Sequence, residues 1–436
     1  MNRFNARTLL GLIMLLAVGL RVIAAFYLGD QVVSLPGTED QLSYHNLAIR
    51  VMQGHGFSFG EPWWPLTAAN APTAHWSYLY TFFLTLVYGI FGVHPLAARL
   101  IQAVLVGALQ PLLIYLLGTR ASGEKVGLAG AFITAIYGYF IYYAATLMTE
   151  PFYITGILAI LYVAILWAQK PNASQLRYGL LFGLLAVGTI LLRQLFLLII
   201  PFILLWVWWM KWRANQPVFM GLATSVLVIG LVILPFTIYN YQRFDRFVLL
   251  NTNAGFAFFW GNLPQYGTEF ESIMTSETGT YFSVIPEELR GLDEASLDQA
   301  LLSRGIGFVL DDPVRYALLS LSRIPSYFMF WPSRASGIVS NLTRVGSYGL
   351  FLPFMLYGLY LWMHGRIPQA QFSLTHPLFL LISFCVLYTV IHILTWTLVR
   401  YRLPVDAVMI VFAGAALIDL GQRFFHKNQP EIIQSC

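Results

Sequence analysis

Two acidic and three basic positions, scattered along the chain, carry the residue types that proton transfer and phosphate binding require. Asp40 follows Glu39 and precedes Tyr44-His45-Asn46-Leu47-Ala48; Glu150 stands in Thr149-Glu150-Pro151; Arg193 lies in Leu192-Arg193-Gln194; Arg400-Tyr401-Arg402 precedes Leu403-Pro404. A carboxylate beside a substrate hydroxyl acts as a general base, an effect of about 10²- to 10⁴-fold. Guanidinium forks match phosphate oxygens two at a time, so two arginines flanking a tyrosine suit a phosphate clamp. Each position also has a plain structural use. Asp40 opens the helical pattern Asp40, Tyr44, Leu47, Ala48, Val51, where an acid is a good cap. Glu150 can begin a helix with Pro151 at its first position, Arg193 can reach toward headgroups, and Arg with Tyr can anchor an interface. An ionisable side chain at the edge of an apolar run is costly, and that favours a site.

The runs that must position these residues are apolar. The 436 residues are 58% hydrophobic and only 10% charged, with a mean hydropathy of +0.67, whereas an ordinary soluble domain is about 25% charged. Crossing a bilayer takes about 20 mostly apolar residues. Ten runs qualify: 8–28, 97–118, 126–146, 150–168, 176–192, 194–210, 218–238, 345–363, 376–397 and 403–420. The first follows Arg3 and Arg7 and lacks a clear small-residue cleavage site, so it reads as a retained span rather than a removed signal. Basic residues fix the orientation. With Arg3 and Arg7 in the cytoplasm, alternate loops put Arg120 and Lys125, Lys170 and Arg177, Lys211 and Arg213, Arg366, and Arg423 with Lys427 on that same side. Both termini are then cytoplasmic, and Glu39-Asp40, Glu150, Arg193 and Arg400-Tyr401-Arg402 face outward. The aromatic-rich run 77–92 would reverse every later loop if it crossed, so it reads as an interfacial or re-entrant helix.

The chain divides into residues 1–239, a transmembrane module with an external loop at 29–96; residues 240–344, an external soluble segment; and residues 345–436, the C-terminal transmembrane helices. The external segment holds 8 Arg and 11 Asp/Glu. Its opening stretch 251–262 mixes small residues with aromatics, a composition suited to a carbohydrate or headgroup surface as well as to a cap on the bundle. A helix is expected from the acidic patch 293–298, and another from Pro313 resting on the membrane interface. Cys385 and Cys436 give neither a metal spacing nor a disulfide framework. The charge of +5 is spent on orientation, so no nucleic-acid partner is expected. His45, His55, His75 and His94 are not spaced as a compact ligand set, so no metal cofactor is expected. A glycine-rich phosphate loop, a His-Glu-x-x-His site and a Gly-x-Ser-x-Gly elbow are all missing from the sequence.

Taken together, Arg21, Asp40 with Tyr44 and Ala48, Gly54-His55-Gly56-Phe57, Pro72, Tyr78-Leu79-Tyr80, Arg99-Leu100, Thr149-Glu150-Pro151, Arg193, Trp260-Gly261-Asn262 and Arg400-Tyr401-Arg402-Leu403-Pro404 resemble the GT-C superfamily of polytopic glycosyltransferases. The nearest branch is the protein-mannosyltransferase and aminoarabinose-transferase-like one, also called PMT-like or family 39-like. The resemblance covers nearly the whole chain and is most specific in its first 200 residues. It implies an all-α polytopic GT-C fold of about ten transmembrane helices with interfacial or re-entrant helices and an external segment. It also implies a polyprenyl-phosphate-linked sugar as donor. By that likeness Asp40 is the catalytic base, Glu150 a second catalytic acid, and Arg193, Arg400 and Arg402 the donor-phosphate contacts. Glu39, Tyr44, His55, Tyr401 and Asn262 are the substrate contacts it suggests. Relatives that modify lipid A carry Lys-Pro-Pro where this chain has Ala71-Pro72-Thr73-Ala74-His75-Trp76. His75, or an arginine from another loop, is left for the lysine's role, and the aminoarabinose reaction is not assigned.

The expectation is an inverting glycosyltransferase of the multi-pass cell membrane, acting on the exoplasmic side as a monomer; its acceptor is a lipid, glycan or protein. The rival from another class is a lipid-linked sugar flippase or transporter, which requires access from both sides. A lipid-linked glycan ligase is the rival within the enzyme class.

Overall fold

The computed structural model describes residues 5–35, 37–170, 174–271, 274, 280–333, 337–367 and 370–427. Arg3 and Cys436 lie outside these. The helices are α1 (Ala6–Leu28), α2 (Asp40–Met52), α3 (Tyr78–Phe91), α4 (Pro95–Ser122), α5 (Glu124–Ile136), α6 (Gly138–Ala144), α7 (Glu150–Gln169), α8 (Gln175–Leu192), α9 (Ile200–Arg213), α10 (Phe219–Phe244), α11 (Ala254–Gly261), α12 (Glu294–Asp311), α13 (Pro313–Tyr327), α14 (Ile338–Arg344), α15 (Leu350–Met363), α16 (Pro377–Leu394) and α17 (Leu403–Lys427). Among the described residues the extended pairings are the isolated bridges Ser58 to Pro72 and Trp63 to Thr67. The protein is an all-α, multi-pass membrane protein.

Among the described residues nine helical stretches are long and apolar enough to cross a bilayer, and the bent pair α5/α6, taken as one span, makes a tenth. This matches the ten runs read from the sequence. Only 14 residues long, α3 stays below that length and packs on α2 and α8.

One expected span differs in form. The run 126–146 breaks at Tyr137, with a bend of 56° between α5 and α6. The bend releases carbonyls from their helical partners, and in a bilayer such groups need donors. Arg21, fully buried on α1, supplies them: it donates to Thr134 O at 3.0 Å, Ala135 O at 3.3 Å and Ala17 O at 3.1 Å. Arg99 plays a similar part, donating to Ala145 O at 2.9 Å and Gly29 O at 2.5 Å, and so ties the ends of α6 and α1 to α4.

The alternation of the spans brings the end of α1 and the starts of α2, α7 and α17 to one end of the bundle, with the ends of α8, α10 and α16. Arg120, Lys125, Lys170, Arg177, Lys211, Arg213 and Arg366 lie on the turns at the opposite end. There Lys211 Nζ donates to Lys170 O at 2.7 Å.

The described residues of 245–337 sit at the Asp40 end. As the sequence indicates, α12 starts after Asp293, whose carboxylate accepts from Ala295 N and Ser296 N at 3.1 Å each. Pro313 opens α13, and Asp312 accepts from Arg315 N at 2.9 Å. Phe256, Phe259, Trp260, Leu297, Leu301 and Leu319 form this segment's own core. Gly255 lets α11 lie directly on α12, since a Cβ there would stand 1.8 Å from Asp298 O.

Candidate functional site

Four charged side chains from four parts of the chain converge at the mouth of the bundle. Arg400 Nη1 lies 2.9 Å from Asp40 Oδ2, and Arg400 Nε lies 3.7 Å from Glu150 Oε1. Arg193 Nη2 donates to that same Glu150 Oε1 at 2.5 Å, while its Nε donates to Thr149 Oγ1 at 3.0 Å. The glutamate is 2% exposed, so its charge is compensated by two guanidinium groups rather than by water. Tyr401 lies beside both arginines, with the Arg193 and Arg400 guanidinium carbons 5.3 and 5.4 Å from its ring centre. Its other neighbour is His392, stacked at 4.8 Å.

Local sequence explains the aim of each group. α2 begins at Asp40, yet Asp40 makes no capping bond, and the preceding Glu39 is exposed and makes none either. The plain use of Asp40 as a cap is therefore not the one adopted. Glu150 opens α7 with Pro151 behind it. Arg193 is extended (φ −148°, ψ 110°) where α8 gives way to a 3-10 turn. Arg400 lies in the 3-10 turn 399–402 leading into α17. Its Nε makes no hydrogen bond with protein, which leaves a donor beside two carboxylates.

Other residues singled out in the sequence go elsewhere. Arg402, two residues on, is fully buried against Asp406 at 2.9 Å and donates to Tyr327 O at 2.7 Å. Asp406 also accepts from Tyr137 at 2.8 Å, so this pair secures the break between α5 and α6. Tyr44 is buried, edge-on to Trp76 and Tyr80. His55 is exposed in the turn after α2. Asn262 is buried, accepting from Arg323 at 2.8 Å. His75 is buried with Nδ1 3.1 Å from Thr252 O. Burial pushes its imidazole pKa below the usual value against the pull of Glu294, a setting that disfavours the cation a phosphate would seek.

Glu294 is a residue the sequence did not single out. Placed in the acidic first turn of α12, it is 5% exposed and accepts from Thr67 Oγ1 at 2.6 Å, Ala74 N at 2.8 Å and Thr252 Oγ1 at 2.5 Å. It ties the first loop to the 245–337 segment. Nothing in its sequence position separates it from the solvated acids around it. Among the described residues no group of three or more His, Cys, Asp or Glu is placed to hold a metal ion.

No protein-family model and no curated protein matches this chain; solved structures do. The oligosaccharyltransferase of Archaeoglobus fulgidus in its apo form aligns over 98% of this chain and 52% of its own, with a TM-score of 0.62 and 15% identity. The oligosaccharyltransferase AglB of that organism, in complex with an inhibitory peptide and a dolichol-phosphate, aligns over 99% and 52%, with a TM-score of 0.61 and 16% identity. ArnT from Cupriavidus metallidurans in the apo state aligns over 97% and 62%, with a TM-score of 0.50 and 15% identity. The chain spans about half the length of the oligosaccharyltransferases it matches. At these identities the likeness is one of fold: the chain has the GT-C fold.

Proposed function

We propose that this protein is a glycosyltransferase that moves a sugar from a polyprenyl-phosphate donor to an acceptor hydroxyl on the exoplasmic side. The observation that carries this reading is the meeting of Asp40 and Glu150 with Arg400 and Arg193 at one end of the bundle. An exoplasmic site is supported by the basic turns at the opposite end. A lipid-phosphate donor is supported by the fold shared with AglB, which has been solved with a dolichol-phosphate.

In this mechanism the donor phosphate lies against Arg400 and Arg193, whose charge offsets the negative charge that grows as the phosphate departs. The acceptor oxygen attacks the anomeric carbon opposite the phosphate. A new C–O bond forms as the bond from the anomeric carbon to the phosphate oxygen breaks, and the electron pair leaves with the phosphate. Asp40 takes the acceptor proton. Glu150, fixed by Arg193, orients the acceptor or offsets positive charge on the sugar ring. A single displacement inverts the anomeric centre.

The reading is tested by mass spectrometry of lipid-linked sugars and glycosylated products in cells lacking the protein. Loss of one product with retention of its lipid-linked donor is expected; an unchanged product profile rejects the transferase. Transfer of an entire glycan is the second reading, favoured by the fold shared with oligosaccharyltransferases, and the product's mass separates it from single-sugar transfer. Net lipid movement without sugar transfer by the purified protein replaces both with a flippase.

A further inference from the structure

The charged cluster is bordered by aromatic rings for which the mechanism above has no use. They form a continuous series that starts at Tyr44, one helical turn past Asp40. Tyr44 meets Trp76 with ring centres 5.4 Å apart, Trp76 meets Trp64 at 5.9 Å, and Trp64 lies over Trp260 at 5.4 Å and 30°. Trp260 in turn meets Tyr281 at 5.0 Å and Trp396 at 5.9 Å, and Tyr281 meets Trp396 at 5.8 Å. Trp396 is four residues ahead of Arg400, which pairs with Asp40 at 2.9 Å, and Tyr281 lies within electrostatic reach of Glu39 and Arg400, so the series begins and ends beside the charged cluster.

Three separate stretches of chain build this border: the first loop, the 245–337 segment and the turn before α17. Their joining is close. A Cβ on Gly261 would stand 2.2 Å from Thr395 O, so glycine is what lets Trp260 approach Trp396. Trp76 and Trp260 are buried, whereas Trp64 is 40% exposed and Tyr281 and Trp396 are half-buried. The buried rings thus act as a backing that holds open rings in place. A pyranose ring has one C–H face that stacks on an aromatic plane and hydroxyls around its edge. Partly exposed aromatic rings with a carboxylate close by, here Glu39 near Tyr281, suit such a ring better than they suit a polyprenyl chain, which offers nothing to a carboxylate.

We propose that Trp64, with Tyr281 and Trp396 beside it, is a stacking subsite for a neutral pyranose ring of the acceptor, so that the acceptor is a glycan. Calling that ligand the acceptor rests on the transferase reading; the capture of a sugar ring does not.

The full chain in phosphatidylcholine nanodiscs is applied to an array of neutral pyranose oligosaccharides, comparing wild type with Trp64→Ala, Trp64→Phe and Trp396→Ala. Wild-type protein is expected to retain at least one glycan, Trp64→Ala and Trp396→Ala to weaken it roughly tenfold, the scale of one aromatic contact, and Trp64→Phe to retain most of the affinity. Failure of the wild type to hold any array glycan overturns the subsite, as does equal binding by Trp64→Ala. Undecaprenyl phosphate binding is measured alongside; if Trp64→Ala weakens that lipid and leaves glycan binding alone, the border serves the lipid and the proposal falls. Glycan binding without sugar transfer in the cellular assay would support the subsite while removing the transferase reading, so the two fail separately.

Discussion

The Arg400 guanidinium lies 2.9 Å from the Asp40 carboxylate, joining the turn before the last span to the first loop of the chain. A carboxylate fixed in this way has one oxygen directed by the arginine, and in the proposed mechanism it is the group that takes the acceptor proton. Asp40→Asn preserves shape and removes the base. Transfer from an undecaprenyl-phosphate-linked sugar is expected to fall by about 10²- to 10⁴-fold, with donor binding changed little. Single-turnover kinetics on purified protein checks this, and unchanged turnover eliminates Asp40 as the base.

Arg193 and Glu150 form a pair in which the acid is 2% exposed. Removing Arg193 leaves the buried Glu150 charge with Arg400 alone, 3.7 Å away, so the cost should fall below the roughly 3–5 kcal/mol typical of a buried charge that loses its whole compensation. Arg193→Gln should therefore destabilise the protein more than the double change Glu150→Gln with Arg193→Gln. Thermal unfolding in one detergent and lipid mixture measures the coupling, for which about 0.5–3 kcal/mol is the range of contacting pairs. Additive effects would mean that the pair is not coupled in solution.

Glu294 joins the first loop to the 245–337 segment through three donors. Glu294→Ala leaves Thr67, Ala74 N and Thr252 without their buried acceptor, at about 1.5–3 kcal/mol for each bond to a charged group. Faster hydrogen exchange is expected at residue 74 and its neighbours, with a smaller rise in Glu294→Gln, which keeps one acceptor oxygen. Equal protection in all three proteins would show that packing alone holds the loop.

The 245–337 segment should carry a pH dependence. Asp298 accepts from Gly255 N at 2.8 Å and Phe256 N at 3.1 Å at the start of α11. Burial raises its pKa from 3.8 to about 7, with Glu294 adding to the rise and the two amide bonds opposing it. The folded state then holds the proton more tightly than the unfolded state does, so this contribution is fully present below about pH 4 and is lost as pH rises toward 7. Exchange at Gly255 and Phe256, corrected for its intrinsic pH dependence, should accelerate across that window. In Asp298→Asn the acceptor remains and the pH dependence is expected to vanish.

The spans were legible because each is a long apolar run, and the charge of the turns between them followed a single alternation. The break at Tyr137 was not legible: every residue around it is apolar or small, and its support comes from Arg21 and Asp406, which lie far away in sequence. Asp40, Glu150, Arg193 and Arg400 stood out as charges at the ends of apolar runs, where an ionisable group needs a reason. Arg402 shares that signal with Arg400, yet it points into the bundle toward Asp406; the two-residue offset, about two-thirds of a 3-10 turn, sends them to different sides. Glu294 and the aromatic border were hidden for another reason. Their partners come from three loops, and no periodicity within one loop announces them.

The two ends of the Asp40–Arg400 pair also differ in when the ribosome makes them. Asp40 follows α1, and Arg400 is not synthesised until α16 has been made. A nascent chain thus carries Asp40 and Glu150 well before the arginine that completes the cluster. The cluster is therefore complete only once α16 and α17 have joined the bundle that α1 began.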